Sequence, residues 1–206
     1  MRFSTTTMIL LLAVLASPAR AQSTLRINEI LAGPARDWDG SGALSTRDDE
    51  WVEVVNTGPG SVDLSGYLIT DGDDLPRMGL TGVLGPGARV LVFGAQSVEW
   101  ERANGHPVFG LSLGNTGDQV KLWHVVGPDT VLVDAYAYLA HEAAADRAVG
   151  RAPDGGVWML FDGLNPYGGS TLPVGTGCMP TPGGGNACGV TPTRPVTWGW
   201  VKAAYR

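Results

Sequence analysis

The chain has 206 residues, of which 14 are basic and 20 acidic, for a formal net charge of −6. That balance argues against a nucleic-acid partner, because affinity for a phosphate backbone comes mainly from Lys and Arg neutralising phosphates. The length admits one well-buried domain with a small appendage and leaves no room for a second catalytic domain.

Residues 1–21 read as a targeting segment. Arg2 supplies a short positive region, Met8 to Ala16 an apolar run, and Ala19-Arg20-Ala21 a small-residue cleavage site before Gln22. The apolar run is too short to span a bilayer. Its removal leaves 12 basic against 20 acidic residues, a net charge near −8. The expected product is secreted, periplasmic or displayed at the cell surface.

From Thr24 to Leu31 the chain alternates and predicts a first strand. An acidic, glycine-bent loop from Asp37 to Asp48 follows, and Trp51 to Val55 is a β-branched and aromatic strand. Counting Asp37 as position 1 puts Asp39 at 3, Ser41 at 5, Gly42 at 6, the Ala43 carbonyl at 7, Ser45 at 9 and Asp48 at 12. This is the ligand order of an EF-hand calcium loop, with Asp at 12 in place of the bidentate Glu. Ser41 is an uncharged ligand where Asp or Asn is usual, so a site for Ca²⁺ here would be weak, around 10⁻⁴ to 10⁻³ M. The same residues also suit a solvated hairpin loop, in which Asp, Gly and Ser serve only as turn formers.

Asn56 to Gly60 is a dense turn signal. Val62 to Thr70 reads as a strand bent at Ser65-Gly66, and Asp71-Gly72-Asp73-Asp74 closes it as a turn. Ala88 to Gly94 is a nearly continuous apolar run suited to a strand buried on both sides. Ser97 to Ala103 is the one helical piece, with Ser97 as N-cap. Further strands are expected over Val108 to Leu113, Gln119 to His124, Thr130 to Tyr138, Ala148 to Arg151 and Val157 to Leu160. Many short strands between Gly/Pro turns, with almost no helix, predict an all-β antiparallel sandwich.

From Gly163 the chain should run as coil to the end of the domain at residue 188. Cys178 and Cys188 lie close together in an exported chain, where oxidation is favoured, so a disulfide is expected between them. Residues 189–206 form an appendage: a Thr/Pro linker to Thr197, then Trp198 to Arg206, in which Trp198, Val201 and Tyr205 would share one face of a short helix. Two readings of this tail stay open, packing back onto the domain and a signal for export, sorting or attachment.

The order of several segments resembles the lamin tail domain in its exported bacterial form. These are Arg26 to Leu31, Asp49 to Gly58, Val62 to Asp71, Leu113 to Leu122, Val149 to Gly155, and Pro180 to Asn186. The resemblance covers residues 24–188 and implies an immunoglobulin-like β-sandwich. It implies an interaction module rather than an activity, and in nuclear lamins that module sits on a coiled-coil rod which this chain lacks.

Catalytic signals are sparse. Gly110-Leu111-Ser112-Leu113-Gly114 matches the nucleophile-elbow spacing, but a turn and another strand follow it where that motif needs a helix. His106, His124 and His141 are the available imidazoles, and nothing in their spacing groups them. The expectation is a noncatalytic module that binds an extracellular protein or glycan, with Ca²⁺ as its candidate ion. The alternative is an extracellular hydrolase with a loop-borne His/carboxylate site.

Overall fold

The structure is a computed structural model that describes residues 23–188. The expected leader, residues 1–21, and the tail, residues 189–206, lie outside the described residues.

Eleven strands and one helix follow in chain order: β1 Leu25–Leu31, β2 Trp51–Asn56, β3 Val62–Asp63, β4 Tyr67–Thr70, β5 Pro76–Gly79, β6 Val83–Leu84, β7 Arg89–Phe93, α1 Gly94–Ala103, β8 Gly117–Val126, β9 Asp129–Leu139, β10 Ala148–Ala152 and β11 Val157–Phe161. They form a five-stranded sheet ordered β11-β10-β1-β2-β7, a four-stranded sheet ordered β5-β4-β8-β9, and the small pair β3-β6. Every pairing of named strands is antiparallel. This is the expected immunoglobulin-like sandwich.

The alternation in the sequence explains the main core. Ile27 and Ile30 of β1 and Val52 and Val54 of β2 meet Ile69 of β4, Val120 and Leu122 of β8, and Tyr138 of β9. A bulge at Asn28 shifts the β1–β2 register between Ile27 and Glu29, so the inward residues before and after it are three apart rather than two.

A second apolar cluster lies on the opposite face of the five-stranded sheet: Leu31, Trp51, Ala148, Ala152, Phe161 and Cys188, with Trp38, Leu91, Phe93, Met159 and Cys178 packed against them. The coil after β11 and the loop before β2 cover that face. In consequence all six residues of β2 are buried. Each large apolar side chain so enclosed contributes about 1.5–3 kcal/mol.

Three local expectations are corrected. The run Ala88 to Gly94 forms the edge strand β7, of which only Val92 is fully buried. Its apolar residues are needed because Leu91 and Phe93 face the second cluster while Val90 and Val92 face the first. The helix begins at Gly94 rather than Ser97: Gln96 accepts a hydrogen bond from the Phe93 amide, and the Ser97 hydroxyl donates to the Arg77 carbonyl. Residues 108–113 form no strand. Gly110 and Ser112 adopt left-handed backbone, at φ 77° and 58°, outside the β region of a regular strand.

Candidate functional site

The acidic loop curls around Asp49, which sits two residues before β2 and is fully buried. Its Oδ1 accepts the Trp38 and Asp39 amides at 2.6 and 3.0 Å, and its Oδ2 accepts the Ser45 amide at 2.7 Å. One carboxylate thus closes the loop from inside. Asp37 accepts the Ser41 and Gly42 amides, and Asp39 also accepts the Ser41 amide at 2.8 Å. Oxygens of Asp37, Asp39 and Asp49 lie within 4.8 Å of one another. Trp38, packed edge-on against Trp51 at 6.1 Å, ties the loop to the sheet, and its indole donates to Asp146.

The other residues of the EF-hand register make contacts of their own in this loop. Asp48 is turned to Arg47 at 2.7 Å, and that guanidinium holds its carboxyl below the ordinary range. The Ser41 hydroxyl donates to the Ala43 carbonyl, so these two candidate ligands bind each other. Ser45 Oγ accepts the Asp48 amide. The acid brought to Asp37 and Asp39 is therefore Asp49, one residue beyond the twelfth position. The one-residue difference follows from partners: the Trp38, Asp39 and Ser45 amides gather on Asp49, whereas Asp48 pairs with Arg47.

A second polar assembly had no signal in the sequence beyond its separate segments. Glu29 of β1 and Glu53 of β2 stand directly opposite on the outer face of the sheet, both fully buried. Two like charges so placed are destabilising. The coil from Pro180 to Cys188 lies across them. Thr181 donates its amide to Glu29 Oε1 at 3.0 Å, with its hydroxyl 2.7 Å from Oε2, and the Gly183 amide donates to Glu53 at 2.7 Å. Asn28 donates to Glu53 and Asp154, and Asp154 accepts the Asn186 amide. The Cys178–Cys188 disulfide, with Cα atoms 5.6 Å apart, closes the strap as expected.

Burial drives the Glu29 carboxyl up to about 8, and Glu53 pushes it in the same direction. The geometry agrees. The Thr181 hydroxyl lies 2.7 Å from Glu29 Oε2 and 2.6 Å from Asn186 Oδ1. A hydroxyl has one proton and cannot donate to both. A protonated Glu29 resolves the conflict by donating to Thr181, which then donates to Asn186. Glu50 is a second buried acid raised to about 8 by desolvation, and it accepts the Leu113 amide.

The three histidines each rest on a different aromatic ring. His106 stacks on Trp100, His124 on Tyr67, and His141 is tilted against Tyr167. Ser112 lies in the loop before β8. The acidic turn after β4 clamps buried Arg77, whose guanidinium meets Asp71 and Asp73 at 2.7 and 2.8 Å and Glu101 of α1 at 3.4 Å. No helix among the described residues is long and apolar enough to cross a membrane.

No curated protein matches the chain. The family model for the lamin tail domain matches residues 18–140, more than half of the chain and the span that runs from β1 through β9. Strands β10 and β11 and the disulfide-closed strap follow that span and complete the five-stranded sheet. On this match and on its immunoglobulin-like sandwich, the chain belongs to the lamin tail domain family.

Proposed function

We propose that this domain is a noncatalytic binding or scaffolding module of the cell surface or extracellular space, and that calcium bound at Asp37, Asp39 and Asp49 orders its 37–49 loop. The observation that carries the calcium reading is the convergence of three carboxylates within 4.8 Å. Ca²⁺ takes six to eight oxygen ligands, so backbone carbonyls and water would complete its shell. The cation removes the mutual repulsion of the three acids and holds one loop shape at the rim of the sandwich. Surface loops on a rigid scaffold are where binding residues concentrate, and the partner is an extracellular protein or glycan. The noncatalytic reading is supported by the family, whose fold is an interaction module.

Thermal unfolding of the full chain tests the calcium site. With a dissociation constant of 10⁻⁴ to 10⁻³ M, 10 mM Ca²⁺ stabilises by about 1.4–2.7 kcal/mol. At about 2–4 °C per kcal/mol for a domain of this size, Tm rises by about 3–11 °C. The Asp37→Asn/Asp39→Asn variant should lose that response. An unchanged Tm in the wild type removes calcium from the proposal, and a hydrolytic activity abolished by His124→Ala or His141→Ala removes the noncatalytic reading.

A further inference from the structure

Strand β9 is an edge of the four-stranded sheet and β11 an edge of the five-stranded one. Residues of both strands and of the coil after β11 line a groove of about 440 Å³, with Tyr136, Trp158, Met159, Leu172, Val174 and Thr176 on its walls. Its floor is rigid. The Tyr136 and Trp158 rings stack at 3.7 Å, the Arg151 guanidinium lies over the same indole at 4.6 Å, and the Tyr136 hydroxyl donates to Glu142. The outer wall is held by the Thr176 amide on Asp162 and by a parallel bridge between Leu160 and Gly175. Yet Leu172 is 76% exposed and Val174 44%. The result is a preformed, mostly apolar groove with an aromatic floor, a size suited to ligand side chains.

The chain itself carries a fitting occupant. The described residues end at Cys188, whose sulfur lies 3.1 Å from Thr176 Oγ1, and Thr176 is part of the groove wall. The segment that leaves there contains Trp198, Trp200, Val201 and Tyr205. Nine residues separate Cys188 from Trp198, a Thr/Pro stretch that reaches about 28 Å when extended at about 3.1 Å per residue. Charge favours contact of this segment with the domain. Residues 189–206 hold three basic side chains, Arg194, Lys202 and Arg206, and no acid, whereas residues 23–188 hold all 20 acids against nine basic residues.

We propose that Trp198 to Tyr205 seats in this groove in cis, with its indoles against the Tyr136–Trp158 stack and over Leu172 and Val174. The tether makes a modest intrinsic affinity sufficient. A short linker gives an effective concentration of about 1 mM, so a site of about 0.1 mM holds the segment seated about tenfold over free.

Trypsin reads that ratio in the full chain, because cleavage follows the unseated fraction when reseating is fast. Arg194 precedes Pro195 and is a poor trypsin site, which leaves Lys202 as the reporter bond. Cleavage after Lys202 should be about tenfold slower in the wild type than in a Leu172→Asp/Val174→Asp variant, and independent of protein concentration. Equal rates overturn the proposal. Protection that grows with protein concentration also overturns it, in favour of a second copy as occupant. A readout free of variants is the nuclear Overhauser effect between the Trp198 and Trp200 ring protons and the Leu172 and Val174 methyls, which should be present in the wild-type chain; its absence refutes seating.

Discussion

Replacing Glu29 with Gln should leave stability nearly unchanged in acid, below about pH 5, and raise it progressively through neutral pH into alkali. Glu29 is fully enclosed between β1 and the strap, and its carboxyl is lifted from the ordinary 4.5 to about 8. Between those two values the native state keeps a proton that the unfolded chain has lost, so wild-type stability falls as pH rises through the window. The slope is about 1.4 kcal/mol per pH unit, and the full loss from Glu29 is about 5 kcal/mol. Below pH 4.5 the contribution is whole; above pH 8 it is gone. Gln mimics the protonated acid: its oxygen accepts the Thr181 amide and its NH₂ donates to the Thr181 hydroxyl. Urea unfolding of both proteins at pH 5, 7 and 9 gives the comparison. Glu50 titrates in the same direction in both, so it cancels in the difference. The variant should lie within about 1 kcal/mol of wild type at pH 5 and exceed it by about 3–5 kcal/mol at pH 9. Parallel curves, or a variant weaker at every pH, would refute the protonated Glu29–Thr181–Asn186 chain.

Two further substitutions probe how the site is braced. A Cβ on Gly94 would lie 1.8 Å from the Arg47 carbonyl oxygen, so Gly94→Ala must push α1 away from the acidic loop. A cost of about 3 kcal/mol is expected, at the upper end for overpacking, and a change under about 0.5 kcal/mol in chemical unfolding would contradict this packing. Opening the Cys178–Cys188 link in a Cys178→Ser/Cys188→Ser protein frees a short loop with a sequence separation of 10 and should cost about 2.5–3 kcal/mol. Amide hydrogen exchange at Thr181 and Gly183 should rise with it, since both amides serve the strap; unaltered protection would show that the buried acids hold the strap without the disulfide.

The sequence alone determined the sandwich, because alternation in Thr24–Leu31 and Gln119–His124 and the β-branched and aromatic run Trp51–Val55 report strands, and Gly/Pro turns report where each strand stops. It also located the disulfide and the acidic loop, both local in sequence. Only the tertiary structure decided what faces what. The outer surface of the five-stranded sheet is buried because the strap arrives from more than a hundred residues away to meet Glu29 and Glu53, a contact no local pattern carries. Likewise the choice of Asp49 over Asp48 depends on the Trp38, Asp39 and Ser45 amides that gather on Asp49 while Asp48 pairs with Arg47, and the edge position of β7 is set by the order of the whole sheet. Side-chain period is a property of one strand, whereas the partner of each buried carboxylate is a property of the whole packed chain.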